Sequence, residues 1–391
     1  MPTSTPKRRR SARNRVSYCI NFECEQRENP AHLELCQACG TPLLLKNRYR
    51  LISPLRSLSV PGHAELFEVE DLGVEAAIGS RYKVVKILKA NDTTLVRLFK
   101  QEADSLKKLN HAGIPKIQHG DGYFTISLLC HANPLHCLVM EKIEGENLHE
   151  WVGRTGPISQ EEALNWLKQL LEILDYLHQN QYFHRDIKPS NIIRKPTGQL
   201  VLIDFGTVRE ITQTYIVKVS GQEDITCIFS AGYTPEEVIH GKAVPQSDFY
   251  ALGRTFVYLL TGKSPLKLQR ESEQFNWRES APQVSPPLAD WIDYLMAPSP
   301  IHRPPNTSFI LHCLEGKSID ELPRISVETP GNRTDELPSF PTSWWLVILN
   351  FVLFSILLVT GLLWWQSYQK YRENQWQVPH PVKSSGLMSN N

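Results

Sequence analysis

Residues 183–191 read FHRDIKPSN and residues 202–206 read LIDFG, and these two stretches decide the fold. Each is a polar loop beside short apolar runs that predict buried strands. Asp186 offers a carboxylate that can accept a proton from a hydroxyl nucleophile, whereas Asn191 and Asp204 carry the hard oxygen atoms that Mg²⁺ prefers. Phosphoryl transfer needs mainly positioning and charge neutralisation. The two stretches therefore predict a phosphoryl-transfer site.

The form H-R-D-x-K-P-x-N followed by D-F-G resembles the bacterial, eukaryotic-like (Hanks-type) Ser/Thr protein kinases. The resemblance covers residues 49–315 and implies an α+β, bilobal fold with a β-rich small lobe and a helical large lobe. It implies ATP as the phosphate donor, with Mg²⁺ held by Asn191 and Asp204. In the same comparison Asp186 is the catalytic base, and Lys188 neutralises charge on the phosphate that is transferred.

The resemblance also implies a nucleotide site in the small lobe. Lys86, at the end of the strand segment VVK, would approach the α- and β-phosphates and pair with Glu102. Glu102 lies in a segment, residues 95–109, whose apolar spacing predicts a helix, so a solvated helical glutamate is the alternative. The residues implied to bind ATP are Lys86, Glu102, Val84, Met140, Glu141, Ile143 and Ile193.

The loop above the phosphates departs from the family. Residues 56–63 read RSLSVPGH, with one glycine where the family usually has three. Side chains at Arg56 and Leu58 would hinder a close approach of the backbone to phosphate, although Arg56 could offer charge instead. The leading interpretation is an active Ser/Thr protein kinase. The alternative is a pseudokinase, an interaction module with impaired ATP binding.

Five further residues have structural or regulatory roles in the resemblance. Arg185 would receive a phosphate on the activation segment, because a guanidinium binds such groups in a bidentate manner. Ser230 opens the run SAGYTPEE and corresponds to a hydroxyl near the catalytic base. Glu237 would pair with Arg303, and Asp248 would brace the catalytic loop. Protein substrates are not identified, and self-association through autophosphorylation is left open.

Four of the eight cysteines, Cys19, Cys24, Cys36 and Cys39, have the spacing of two metal-binding pairs. They predict a structural Zn²⁺ site in a zinc-ribbon-like module at residues 18–45, with unligated or redox-active cysteines as the alternative. The remaining four are scattered, which indicates a reducing compartment. Residues 130–137 (CHANPLHC) could be a second metal-binding set, but a polar hairpin loop is the simpler interpretation.

The ends of the chain predict a membrane attachment. Residues 1–17 form a basic arm, either solvated or in contact with anionic lipid, and no apolar segment of a signal peptide follows. Residues 316–343 read as a linker, and residues 344–365 as an uncharged apolar run, which as a helix would span about 33 Å. A buried core helix is the alternative for this run.

These features predict a single-pass membrane protein with a cytoplasmic kinase domain and a short tail at residues 366–391. A zinc-ribbon nucleic-acid binder is a third interpretation, but the predicted anchor argues against it, and no specific nucleic acid is expected as a partner. The formal net charge of +1 hides an asymmetry, because the N-terminus is strongly basic and the rest of the chain is balanced in charge.

Overall fold

The computed structural model describes residues 16–59, 62–73, 80–89, 92–117, 122–128, 131–205, 230–271 and 275–315, together with Trp365. The chain divides into two compact units, Met1–Val327 and Glu328–Asn391. All the described residues except Trp365 belong to the first unit.

The strands of this first unit, in chain order, are β1 (Val16–Tyr18), β2 (Glu28–Pro30), β3 (Leu44–Leu45), β4 (Tyr49–Pro54), β5 (Ala64–Asp71), β6 (Tyr82–Leu88), β7 (Tyr123–Ile126), β8 (Leu135–Glu141), β9 (Glu146–Asn147), β10 (Ile192–Arg194) and β11 (Leu200–Leu202). The helices are α1 (Thr93–Lys108), α2 (Leu148–Thr155), α3 (Gln160–Gln179), α4 (Glu236–Ile239), α5 (Pro245–Thr261), α6 (Pro265–Glu271), α7 (Pro286–Leu295) and α8 (Thr307–Leu314).

Six strands form an antiparallel sheet in the order β3-β4-β5-β6-β8-β7. Side chains of a strand alternate between the two faces of its sheet. On one face Phe67 and Val69 of β5 therefore pack with Val85 and Ile87 of β6 in a buried cluster. Helix α1 follows β6, and the Asp92 side chain caps it by accepting from the backbone N–H groups of its first turn.

The second half of the chain is helical. Helix α3 begins with a capping box between Ser159 and Glu162, which satisfies backbone N–H groups at its start. Its buried apolar face includes Trp166, Leu170, Ile173, Leu174 and Leu177. Burying a leucine side chain stabilises a fold by about 1.5–3 kcal/mol, so this face holds α3 firmly in the core. Helix α5 packs on α3 and is buried along nearly its whole length.

A sheet-rich N-terminal part and a helical C-terminal part confirm the predicted bilobal architecture. The chain passes from β8 to α2 through a segment that includes Gly145, which has φ of 147°. A Cβ atom at this position would lie 2.2 Å from the carbonyl oxygen of Arg194. Glycine is therefore required where the linking segment passes against β10.

A small module precedes the sheet. Strands β1 and β2 form an antiparallel hairpin, and residues 31–45 lead from it to β3. Cys19, Cys36 and Leu43 form a small buried cluster of their own. A module with so few buried residues has little apolar core of its own. Its stability must therefore depend also on interactions other than the burial of that core.

The predicted membrane localisation is corrected by the structure. Among the described residues, no helix combines the length and the apolar character that crossing a bilayer requires. The predicted segment 344–365 lies outside the described residues apart from Trp365, as do the linker at 316–343, the tail at 366–391 and residues 1–15 of the basic arm.

Candidate active site

The catalytic loop is held by hydrogen bonds between its own side chains. A 3-10 turn at Pro189–Asn191 brings Asn191 back toward Asp186, and the Asn191 amide donates to Asp186 Oδ2 at 2.9 Å and to its backbone carbonyl at 3.0 Å. Lys188 Nζ donates to the same carboxylate oxygen at 2.8 Å. The predicted base, phosphate-neutralising lysine and metal ligand are thus in direct contact.

Ser230 completes this group from a distant part of the sequence. Its hydroxyl donates to Asp186 Oδ1, and Lys188 Nζ donates to Ser230 Oγ at 2.7 Å. The structure therefore brings together Asp186, Lys188 and Ser230, the serine that opens the run at residues 230–237. A hydroxyl group can therefore lie within hydrogen-bonding distance of the Asp186 carboxylate.

Asp248, on the first turn of α5, fixes the backbone of the catalytic loop. This carboxylate is fully buried and accepts hydrogen bonds from the backbone N–H groups of His184 at 3.0 Å and Arg185 at 2.7 Å, and from His178 Nε2 at 2.9 Å. Burial opposes its ionisation, but the hydrogen bond and charge of His178 and the bond from Arg185 hold the pKa of Asp248 below its usual value. Arg185 itself has φ of 63°, a strained conformation that these bonds maintain.

The predicted Lys86–Glu102 pair is formed. Lys86 Nζ lies 2.9 Å from both carboxylate oxygens of Glu102, which is 2% exposed on α1. The same ammonium lies 2.9 Å from Asp204 Oδ1. Burial disfavours the charged amine, but the two carboxylates outweigh it and raise the pKa of Lys86, while its positive charge holds the pKa of Asp204 well below the usual range. A solvated glutamate at position 102 is excluded.

Asp204 and Phe205 follow β11, and the Asp204 carboxylate faces Lys86 while the Phe205 ring is buried. Asp204 has φ of 67°, and the buried Phe205 ring packs edge-on against His184 at 5.0 Å. His184 is fully buried, and its Nε2 lies 3.2 Å from the carbonyl oxygen of Ile203. Burial lowers the pKa of His184, against the raising effect of the nearby carboxylates. This histidine is a packed scaffold residue.

Above the cleft, the loop between β4 and β5 places Arg56 over Asp204. The guanidinium nitrogen of Arg56 lies 3.7 Å from Asp204 Oδ2, so each oxygen of this carboxylate faces a cation. The Arg56 side chain is 58% exposed. Within the loop, residues 55–59 and 62–63 are described, and the Leu55 backbone N–H donates to the Leu66 carbonyl at 2.8 Å.

Two of the residues implied to contact adenine, Val84 and Met140, lie on the same sheet face as Lys86. Strand register sets Val84 between Glu68 on β5 and Met140 on β8, and it sets Leu66 opposite Lys86. Residues opposed in an antiparallel sheet share a face, so all five lie on the face of the sheet that carries Lys86.

Two further implied contacts, Glu141 and Ile143, lie at the link between the lobes, and a third, Ile193, lies on β10. The Glu141 backbone N–H donates to the Lys116 carbonyl at 2.8 Å, Ile143 is 8% exposed, and Ile193 lies on β10, opposite Asn147 of β9. The sequence points to these positions only through the resemblance.

Glu237 and Arg303 form the predicted ion pair in the large lobe. Arg303 is 3% exposed, and its guanidinium contacts both oxygens of Glu237 as well as the carbonyl groups of Ala297 at 2.7 Å and Pro298 at 2.8 Å. Since every donor direction of the guanidinium is engaged, the pair is structural.

Sulfur atoms of Cys19, Cys24, Cys36 and Cys39 all lie within 4.8 Å of one another. The Cys19–Cys39 distance is 3.6 Å and the Cys24–Cys36 distance is 3.7 Å. A disulfide would require about 2.05 Å, whereas four thiolates at about 2.3 Å from a tetrahedral Zn²⁺ would be separated by about 3.8 Å. Burial opposes ionisation of Cys39, but the Thr41 hydroxyl and neighbouring donors lower its pKa to about 6.

The cysteine module packs directly on the sheet of the small lobe. Arg27 forms a bidentate pair with Glu65 on β5, at 3.1 and 2.8 Å, and its guanidinium lies over the Phe67 ring at 5.3 Å. Ile20 belongs to the same buried cluster as Phe67. Asn21 Oδ1 lies 2.9 Å from His131 Nε2, in the connection between β7 and β8.

The alternative metal set at residues 130–137 receives no support from the part of the chain that is described. Cys137 is fully buried in β8, and His136 Nδ1 is hydrogen-bonded to the Tyr123 hydroxyl. His131 is turned to the cysteine module, and Cys130 lies outside the described residues. Among the described residues, the N-terminal cysteines are the one cluster with metal-binding geometry.

Sequence reasoning missed three contacts of this site. The sequence places His178 at a helix end and gives no sign that it holds Asp248. Leu66 and Glu68 lie on β5, and their place on the face of Lys86 follows from the pairing register of β5 with β6, which alternation along one strand does not give. The pairing of Arg27 with Glu65 has no sequence signal, because it joins positions far apart in the chain.

A bilobal fold with this constellation of lysine, paired carboxylates and asparagine defines a protein kinase. In agreement, the protein kinase domain family matches residues 74–315, more than half of the chain, and the chain belongs to this family. This match begins after β5 and is narrower than the predicted 49–315.

Similar proteins occur in Synechocystis sp. and Nostoc sp.. The chain is 34% identical to serine/threonine-protein kinase B of Synechocystis sp. over 81% of its length, and 33% identical to kinase F of the same organism over 79%. It is 35% identical to serine/threonine-protein kinase PknA of Nostoc sp. over 73%. The matches cover 54%, 63% and 50% of these relatives, so the chain spans about half to two thirds of their length.

Proposed function

We propose that this chain is a serine/threonine protein kinase that transfers the γ-phosphoryl group of ATP to hydroxyl groups of proteins. The observation that carries the proposal is the contact of Lys86 Nζ with Glu102 and Asp204, at 2.9 Å each, opposite the assembled group around Asp186. Family membership and the names of the relatives support the same activity.

In the proposed reaction the substrate hydroxyl oxygen attacks the γ-phosphorus, and the bond from that phosphorus to the bridging β-phosphate oxygen breaks. Asp186 accepts the hydroxyl proton, and ADP leaves with the bridging oxygen. Lys188, 2.8 Å from Asp186, offsets the charge of the transferred group. Positioned proton acceptors of this kind accelerate reactions by about 10²–10⁴-fold.

Asn191 and Asp204 fit the role of holding Mg²⁺, which supplies charge neutralisation at the phosphates when bound. The Asn191 amide nitrogen is engaged by Asp186, while its Oδ1 is buried and has no hydrogen-bond partner among the described residues. A buried acceptor without a partner is costly, and a metal ion would satisfy it. The Asp204 carboxylate remains ionised beside Lys86, whose charge lowers the pKa of that carboxyl.

The adenine ring would lie against Val84, Met140 and Ile193, while backbone groups of Glu141 and Ile143 would hydrogen-bond its edge. Support comes from the shared sheet face of Val84 and Met140, together with the position of residues 141–143 between the lobes. Specificity for adenine then depends mainly on the backbone, which any side chain at position 141 permits.

Control of activity is proposed to act through residues 206–229, which lie outside the described residues. Arg185, whose backbone N–H donates to Asp248, would bind a phosphate on that segment. Autophosphorylation between two copies of the chain is one way to introduce this phosphate, and it would bring the copies together transiently.

For the four cysteines we propose a structural Zn²⁺ site. Their sulfur separations of 3.6 and 3.7 Å suit a tetrahedral site, and the module has little apolar core. Metal analysis of the purified full chain should give about one equivalent of zinc. The Cys36→Ser variant should lose it, whereas Cys313→Ser should retain it. Well under one equivalent in the wild type would refute the site.

The kinase proposal is tested by incubating the full chain with Mg-ATP and a generic protein substrate. We expect phosphate on serine or threonine, and a fall of about 10²–10⁴-fold in Asp186→Asn. Equal incorporation in both proteins would refute the assigned base.

The pseudokinase alternative has one observation in its favour, the Arg56-bearing loop. A well-folded wild type that neither binds nor uses Mg-ATP would support that alternative.

A further inference from the structure

We propose that Arg56 is a phosphate-binding residue that replaces the backbone contacts of a glycine-rich loop. This inference rests on the proposed ATP-dependent activity and adds a residue to its nucleotide site. A loop that covers phosphates normally needs small residues, because only then can its backbone N–H groups approach them closely. Here a guanidinium stands at the start of the loop.

The position of the guanidinium supports this role. Arg56 lies 3.7 Å from Asp204 Oδ2, while Lys86 lies 2.9 Å from Asp204 Oδ1. The predicted phosphate-binding lysine and the arginine therefore reach the same carboxylate from two sides. A group bound next to Asp204 would be within reach of both cations.

Arg56 can also exchange partners at little cost. Its side chain is 58% exposed, and its distance to Asp204 is long for a charge-assisted hydrogen bond. Exposed ion pairs of this kind contribute little stability, so leaving Asp204 costs little. A triphosphate carries more negative charge than one carboxylate and accepts the planar guanidinium fork in a bidentate manner.

The same contact could instead have an inhibitory role, which we call a latch: Arg56 would hold Asp204 and so hinder nucleotide binding. The two possibilities make opposite predictions for removal of the side chain. The phosphate-binding role predicts weaker binding, and the latch predicts tighter binding.

The experiment is a calorimetric titration of the full-length protein with Mg-ATP, Mg-ADP and adenosine. It measures binding affinity and does not depend on catalysis. Arg56→Ala should bind Mg-ATP about tenfold more weakly or worse, the effect of losing one hydrogen bond to a charged group. Mg-ADP should be affected less, and adenosine should bind as in the wild type. Arg56→Lys should retain part of the affinity, since it keeps the charge but not the fork.

Arg81→Ala is the matched control. Arg81 lies in the same lobe, is 50% exposed and pairs with Glu70 at 2.9 Å. Its removal should leave all three affinities unchanged.

Mg-ATP affinity in Arg56→Ala within twofold of the wild type, or tighter, would overturn the inference while leaving the kinase proposal intact. A wild type that binds no nucleotide would overturn both.

Discussion

The loop below the reacting groups and the loop above them are built in opposite ways. Below, residues 184–191 are fixed by Asp248, which accepts from two backbone N–H groups, and by the Asn191 amide, which donates to two oxygens of Asp186. Above, Arg56 makes one long, exposed ion pair. The lower loop is therefore pre-organised, whereas the ion pair of Arg56 in the upper loop is easily broken.

This difference fits the roles that we propose for the two loops. Groups that act on the transition state need a fixed geometry, because a misplacement of about 1 Å can cost about 10²-fold in rate. A loop that admits and releases nucleotide must open, and regions that move have low local stability. In this proposal the lower loop supplies the fixed geometry, and the upper loop admits and releases the nucleotide.

The largest expected effect comes from breaking the lower loop. Asp248→Asn should reduce the free energy of unfolding by about 3 kcal/mol or more, since it removes a buried charge that three donors depend on. Urea denaturation followed by circular dichroism measures this. The same substitution at Asp290, which pairs with Arg278 at the surface, should cost less than about 1 kcal/mol. Equal losses at both positions would contradict the comparison.

A smaller effect is expected where the cysteine module supports the strands above the cleft. Arg27→Ala leaves Glu65, 7% exposed, without its bidentate partner and should cost about 2–3 kcal/mol. Amide hydrogen exchange should become faster in β4 and β5 but not in residues 184–191. Arg81→Ala serves as the control, because it removes the ion pair of an exposed arginine with Glu70 on the same sheet. If protection from exchange falls equally in β4–β5 and in residues 184–191, the stabilities of these two regions are not independent.

Acidification should weaken the lower loop through His184. Its folded pKa lies below the usual 6.5, so the unfolded chain binds a proton first as the pH falls. The contribution of His184 to the free energy of unfolding is therefore fully present above pH of about 6.5. Below that pH it decreases by at most about 1.4 kcal/mol per pH unit. Urea midpoints at pH of about 7.5 and about 5.5, on either side of this value, should therefore differ more in the wild type than in His184→Gln. An identical difference in both would refute this role.

The smallest effect is expected in the upper loop. Arg56→Ala should change the free energy of unfolding by less than about 0.5 kcal/mol, because exposed positions of this kind rarely contribute more. Thermal unfolding without nucleotide measures it. A loss above about 1 kcal/mol, the upper end for exposed ion pairs, would mean that this loop is part of the stable framework.

The sequence predicted most of the lower loop and less of the upper one. Asp186, Asn191 and Asp204 lie within short, ordered motifs whose spacing is set by local turns, so their contacts could be inferred from the chain. The Lys86–Glu102 pair was inferred by resemblance and is formed. By contrast, the reach of Arg56 to Asp204 depends on the path of a loop that lacks a repeated pattern.

Long-range packing was also beyond prediction. The cysteine spacing indicated a compact module, but nothing in it pointed to Glu65 or Phe67 as its neighbours. His131, a candidate metal ligand in the sequence, instead contacts that module. Such pairs arise when two preformed surfaces meet, and no local periodicity encodes them.

The burial of Ile20 has a practical consequence for the choice of expression fragments. Ile20 is 1% exposed and shares a cluster with Tyr49, Leu51 and Phe67. A fragment that starts after the cysteines, at residue 46, would uncover this apolar surface, and one that starts at the family boundary near residue 74 would lack Tyr49, Leu51 and Phe67 as well. Uncovered surface of this kind promotes aggregation. A well-behaved recombinant catalytic fragment should therefore begin before residue 16 and retain both cysteine pairs.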